Sequence, residues 1–261
     1  MNRIHQGLRS LFTPALVVGA LLGASQLASA QAAAPGGVKN IVLVHGAFAD
    51  GSGWKAVADI LAHDGYNVSI AQPPETSLED DVAATNRVLD AQDGPAILVG
   101  HSYGGIIISE AGNNAHVKAL VYVAAFQPDT GESLGSLAQS KPPVSNSIAP
   151  SADGFLYIDK AHFHADFCAD LPQATADFMA RSQVGLSVKA AGAPVANPAW
   201  KTKPSWAIVA KDDHAINPEL ERSMYRRSGA TTTEIAGSHV VYMSQPKAVA
   251  AVIEKAAASV K

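Results

Sequence analysis

The chain has 261 residues, 48% hydrophobic and 16% charged, with a formal net charge of −4 from 19 basic and 23 acidic side chains. That apolar fraction excludes a disordered polar chain, and the lack of any basic run argues against recognition of a nucleic-acid backbone. The single cysteine, Cys168, excludes an internal disulfide and a thiolate-built metal cluster.

Residues 1–30 read as a secretory signal peptide: Arg3 and Arg9 lead, Leu11 to Leu27 is apolar but broken by Pro14 and glycines, and Ala28-Ser29-Ala30 has the small-residue cleavage pattern. The apolar stretch is shorter than a membrane span requires. The expectation is therefore an exported protein, periplasmic or secreted, with no stable membrane anchor. Residues 31–39 form a small-residue leader expected to be mobile.

Asn40 to Val44 is a continuous β-branched run, the mark of a strand buried on both faces. Trp54 to His63 carries a helical period ended by Gly65, and Tyr66 to Ala71 reads as a second strand. A helix is expected over 78–92, with Glu79, Asp80 and Asp81 in a first turn where the helix dipole favours acids. Ala96 to Val99 gives a third strand, a helix follows Gly104, and Val117 to Ala124 gives a fourth strand. The rhythm stops after Phe126, leaving a helical patch near residues 171–183, and returns with a strand at Ser205–Ala210, a helix from Pro218, a strand at Thr231–Ala236 and a final helix from Gln245. Alternating strands and helices imply an α/β fold with a mostly parallel sheet flanked by helices. Its core is expected in 40–126 and 204–261, with 127–203 as a cap or lid insert after the fourth strand.

Ligands of such sheets bind at the carboxyl ends of the strands. Gly100-His101-Ser102-Tyr103-Gly104-Gly105 lies there, between the third strand and its helix. A serine in a tight strand-to-helix turn is held in a strained conformation and exposed, and flanking glycines let the backbones pass closely. Gly131-Glu132-Ser133-Leu134-Gly135 matches the same bare pattern, but it follows a Pro-Asp-Thr turn and reads as a loop. Ser102 is thus the candidate nucleophile.

A serine hydroxyl needs a base. Of nine histidines, His239 follows the last strand and precedes the last helix, which places it on a loop at the correct edge of the sheet. His101 adjoins Ser102, but the sharp turn is expected to point the two side chains apart; His45 ends the first strand and is expected to order the following loop; His5 leaves with the leader. The orienting acid belongs at the end of the preceding strand, where Asp212 and Asp213 stand, and Asp213 is favoured; Asp129, beyond the fourth strand, is a further alternative. Two N–H donors for an oxyanion are expected at Tyr103, after the nucleophile, and at Ala47 in the His45-Gly46-Ala47-Phe48 loop.

With these residues placed, the chain resembles the α/β-hydrolase superfamily over residues 40–258. Val44 to Trp54 (VHGAFADGSGW), Gly100 to Gly105 (GHSYGG) and the Asp213…Gly237-Ser238-His239 ending are similar to the branch that holds hydroxynitrile lyases, plant methylesterases and many bacterial esterases. The resemblance implies a triad of Ser102, Asp213 and His239, oxyanion donors at Ala47 and Tyr103, no cofactor, and a cap over a largely apolar pocket. Lyases of this branch carry a lysine after the histidine and a threonine in the oxyanion loop; Val240 and Gly46 stand at those positions, which favours hydrolysis.

The expected function is therefore a serine hydrolase cleaving small carboxylic esters through an acyl-enzyme. The alternatives are a non-catalytic small-ligand receptor, a hydroxynitrile lyase, or a cofactor-free haloperoxidase or dioxygenase on the same scaffold. His162, His164 and Asp166 form only a fragment of a metal-site pattern and are read as cap residues; Cys168, Trp54, Trp200 and Trp206 are read as packing residues.

Overall fold

A computed structural model of the chain describes residues 36–145 and 147–261. The signal-peptide reading over 1–30 lies outside the described residues. In the part of the leader that is described, Gly36, Gly37 and Lys39 are exposed, but Val38 is buried and its N–H donates to Ala257 O at 3.1 Å, so that one residue is anchored to the core.

In chain order, the core begins with β1 (Asn40–Val44), a 3-10 turn (Gly51–Trp54), α1 (Lys55–His63), β2 (Asn67–Ala71), α2 (Leu78–Asp90), β3 (Ala96–Ser102), α3 (Gly104–Ala111) and β4 (Val117–Ala125). The insert then contributes α4 (Leu134–Ser140), β5 (Ile148–Pro150), β6 (Phe155–Ile158), α5 (Phe163–Phe167), α6 (Gln173–Arg181), β7 (Leu186–Ser187), α7 (Val188–Gly192) and a 3-10 turn (Ala199–Lys201). The core resumes with β8 (Ser205–Ala210), α8 (Pro218–Ser228), β9 (Thr231–Ile235), α9 (Val241–Ser244) and α10 (Pro246–Ser259).

Six strands form one parallel sheet in the order β2-β1-β3-β4-β8-β9. Its central strands β1 and β3 are buried at every position, as their unbroken apolar runs require. The chain steps from β1 outward to β2, then returns to place β3 on the other side of β1. The loops leaving β1 and β3 therefore lie side by side at the point where strand order reverses, where open α/β sheets hold their ligands. Residues 127–203 are less irregular than their sequence implies, with a three-stranded antiparallel sheet, β5-β6-β7, among the helices. α6 falls on the helical patch expected near residues 171–183, while the other elements span only two to seven residues, too short for a hydrophobic period to register.

The second glycine–serine motif also departs from the loop reading. Ser133 Oγ accepts the Ser136 N–H at 3.1 Å and Ser136 Oγ accepts the Ser133 N–H at 2.9 Å. This reciprocal cap starts α4, and it occupies the Ser133 hydroxyl as a structural acceptor.

Glycine at 105 is required by close approach. A Cβ there would lie 2.1 Å from Phe126 O and 3.0 Å from Ala125 Cβ. Both neighbours are held: the Tyr225 hydroxyl accepts the Ala125 N–H and donates to the Ala125 carbonyl, and the Phe126 N–H donates to Ser102 O at 3.2 Å. Gly105→Ala is therefore expected to cost about 3 kcal/mol, and with it on the order of 10 °C in the thermal midpoint followed by circular dichroism.

Candidate active site

β3 runs three residues past its apolar segment and ends on Ser102, whose φ of +54° is the left-handed value that a strand-to-helix turn forces on a non-glycine residue. The turn is possible because Gly104 and Gly100 have no side chains: a Cβ on Gly104 would meet His45 O at 2.7 Å, and one on Gly100 would meet Gly104 O at 2.6 Å. Ser102 thus stands just ahead of the N-terminus of α3, where unpaired N–H groups and the helix dipole favour negative charge.

His239 and Asp213 come from the loops after β9 and β8. His239 Nδ1 lies 2.6 Å from Asp213 Oδ2, and both side chains are buried. Since the carboxylate can only accept, Nδ1 carries the proton and Nε2 is left as a base. Asp213 Oδ1 accepts the Ala215 and Ile216 N–H groups at 2.7 and 2.8 Å, which fixes the carboxylate from its other side. Asp212 turns away to accept the Gly237 N–H, and Asp129 pairs with Lys201 at 2.5 Å.

Ser102 and His239 line the same cavity of about 80 Å³, and they are the only polar side chains on its wall among the described residues. The rest is aliphatic or aromatic, with Phe126, Ala215 and Ile216 from the core and Leu134, Leu156 and Leu186 from the insert. Among the described residues Ser102 Oγ makes no hydrogen bond; a serine–histidine bond of this kind commonly tightens only when substrate is seated. The Ala47 and Tyr103 N–H groups make no turn or loop hydrogen bond among the described residues.

Two groups around this centre carry no obvious sequence signal. His101 is fully buried, with its ring against His239 (4.6 Å between centroids) and Tyr242 (4.5 Å), and its Nε2–H donates to the His239 carbonyl at 3.0 Å. Burial, then the neighbouring His239, holds the His101 imidazole well below its usual range, so it is a neutral brace for the His239 backbone. The second group lies behind the β1 loop. The Tyr103 hydroxyl donates to Asp81 Oδ2 at 2.6 Å, Asp81 Oδ1 accepts the Glu75 N–H at 2.6 Å, and Glu75 Oε1 lies 3.4 Å from His45 Nδ1. Burial pushes Glu75 well above the carboxylate range, with the Asp81 charge adding to the effect. His45 is lowered by burial and its Nδ1–H donates to Gly46 O at 3.1 Å, so the loop expected to be ordered by His45 is braced by a buried polar cluster.

His162, His164 and Asp166 have separate partners in Asp159, the Leu171 carbonyl and Ser145. Among the described residues no three potential ligands converge on a metal position. Cys168 is buried, with its thiol pushed up to about 12 by burial and by Asp170. Trp54 stacks on Tyr242 at 4.4 Å, and the Trp200 Nε1–H donates to Pro128 O at 2.7 Å.

The alpha/beta hydrolase family model matches residues 41–252, which include every residue of this centre. The chain belongs to the alpha/beta hydrolase family. This hydrolase is 26% identical over 206 residues to the alpha/beta hydrolase nvfD of Aspergillus novofumigatus (strain IBT 16806), a match covering 72% of this chain and 81% of that one. Over 112 residues it is 33% identical to the carbendazim hydrolyzing esterase of Nocardioides sp. (strain SG-4G), spanning 38% of this chain and 46% of the esterase. The pyrethroid hydrolase of Sphingobium faniae JZ-2 superposes with a TM-score of 0.71 at 23% identity, over 84% of this chain and 96% of its own, and so shares the fold.

The hydrolase also buries an acid next to Asp213. Glu221 on α8 is fully buried; Oε2 accepts the Ala210 N–H at 3.2 Å and Oε1 has no hydrogen-bond partner. Burial, then the charge of Asp213, pushes Glu221 well above its ordinary value of 4.5. The folded state therefore holds this proton more tightly than the unfolded chain, so the contribution is full below pH 4.5 and is lost as pH rises through the folded value. Glu221→Gln, which cannot ionise, is expected to melt at a higher temperature than wild type at pH 8 and at nearly the same temperature at pH 4. An equal difference at both pH values would assign Glu221 an ordinary carboxylate titration.

Proposed function

We propose that this protein is a serine hydrolase cleaving small, neutral carboxylic esters through an acyl-enzyme. The observation carrying this reading is an apolar cavity whose only polar side chains among the described residues are Ser102 and His239, with His239 held by Asp213. The Ser102 oxygen attacks the ester carbonyl as its proton passes to His239 Nε2, and the carbonyl oxygen becomes an oxyanion facing the Ala47 and Tyr103 N–H groups. Collapse breaks the ester C–O bond; His239 returns the proton to the leaving alcohol, and an acyl-Ser102 ester remains. Water then attacks that ester, losing a proton to His239, and the carboxylic acid leaves as Ser102 regains its hydrogen. Asp213 keeps the imidazole in the required tautomer throughout.

The esterase relative supports hydrolysis, and the cavity wall supports neutral substrates, because it offers no cation to a charged acyl group. Two positions favour hydrolysis over lyase chemistry. Val240, after the histidine, is fully buried and apolar, and a side chain at Gly46 would begin 2.6 Å from Ser102 Cβ. The proposal is tested by a serine-directed fluorophosphonate followed by peptide mass mapping, alongside hydrolysis of p-nitrophenyl acetate. A covalent adduct on Ser102 and ester turnover are expected. An unlabelled, folded protein would overturn the reading in favour of a non-catalytic receptor.

A further inference from the structure

The cavity at Ser102, about 80 Å³, is small beside the roughly 300–1,000 Å³ of ordinary small-molecule pockets. A second cavity of about 270 Å³ stands next to it, lined by the continuation of the β1 loop, by Phe178 and Met179 of α6 and by Tyr242 and Met243 around α9. Among the described residues one side chain, Phe48, belongs to the walls of both. Its backbone φ is +65°, a left-handed value that a bulky aromatic residue rarely takes. Surrounding structure enforces it: the Phe48 N–H donates to Val184 O in the insert at 3.1 Å, and the ring packs edge-on against Phe167 at 6.3 Å. Strain of this kind persists where surrounding contacts over-determine it, and it clusters at functional sites. Here it holds Phe48 where it lines both the small reactive chamber and the larger outer one.

The outer chamber suits an apolar guest. Although Asp50, Ser52, Thr175 and Ser182 give part of its wall a polar character, Met179 and Met243 supply flexible thioethers that adapt to irregular shapes, and Phe178 is 64% exposed, a large apolar ring held in solvent on α6. We propose that the outer cavity is a subsite for the apolar tail of the ester, and that Phe48 sets substrate length by controlling passage between the chambers. This rests on the ester-hydrolase reading and adds its specificity determinant. Short esters fit in the inner chamber; longer ones are turned over only as far as the Phe48 ring moves aside.

The test compares wild type with Phe48→Gly and Phe48→Leu. Glycine suits the left-handed backbone and so removes the ring without adding strain; leucine retains apolar bulk if glycine unfolds the loop. Two substrate series are used, p-nitrophenyl esters of increasing acyl length and butyrates of increasing alcohol length, so that the arms show which end of the ester enters the outer cavity. In one series the ratio of kcat/KM for the eight-carbon tail to that for the two-carbon tail is expected to rise about tenfold or more in Phe48→Gly. Adding Phe178→Asp to that variant is expected to reverse the gain. An unchanged ratio in both series, in a variant that is folded and still labelled at Ser102, would overturn the subsite while leaving ester hydrolysis intact. Failure of wild type to hydrolyse any ester would overturn both.

Discussion

Replacing Ser102 by alanine is expected to lower kcat for p-nitrophenyl acetate by about 10⁴–10⁶-fold, the range set by loss of the nucleophile in serine hydrolases. The size follows from the cavity wall: among the described residues its only polar side chain apart from Ser102 is His239, so no neighbouring hydroxyl or carboxylate of theirs on that wall can substitute as nucleophile. The fold should tolerate the change, because Ser102 Oγ makes no hydrogen bond among the described residues and alanine removes one atom. The +54° backbone remains, with the strain it already carries. Thermal unfolding should therefore match wild type while fluorophosphonate labelling disappears. Retained turnover in a folded Ser102→Ala protein would place the nucleophile elsewhere.

Asp213→Asn is the second large effect, expected to reduce kcat by about 10⁴-fold by the precedent of the serine protease triad. The asparagine can keep Oδ1 as acceptor of the Ala215 and Ile216 N–H groups, so the loop after β8 stays in place. Its amide N–H₂ then faces His239 Nδ1 where a carboxylate stood 2.6 Å away. A donor there selects the opposite imidazole tautomer, with the proton on Nε2, and removes the base from Ser102. The acidity of the site changes as well, because Glu221 no longer has the Asp213 charge beside it. Steady-state kinetics on a variant whose melting temperature is near wild type separates this tautomer effect from unfolding. A loss below tenfold would show that His239 does not depend on Asp213.

Much of the fold was readable where one physical signal dominates. The strands β1, β3, β4 and β8 are runs of apolar residues because both of their faces are covered, and the Gly100–Gly105 segment stands out because tight backbone passage admits no Cβ. The sequence says less wherever a side chain's role depends on partners distant in the chain. Asp81 resembles the solvated acids Glu79 and Asp80 beside it, yet it turns inward to meet Tyr103 and the Glu75 backbone. His101 shows only adjacency to Ser102; its bond to the His239 carbonyl spans 138 positions. Within 127–203, apart from α6, short elements held by caps such as Ser133 leave no period to find, and the apolar residues that line the inner cavity are scattered among them.

The position of β4 has a consequence for biosynthesis. Its pairing with β8 joins Leu120–Val123 to Ser205–Ile208, across the whole insert. Until the ribosome has delivered β8, the nascent chain exposes an unpaired edge of buried, mostly apolar residues, the kind of template that recruits another unfinished copy. Refolding yield should accordingly decline with protein concentration, and polypeptides truncated ahead of residue 205 should precipitate even though they contain the serine motif intact.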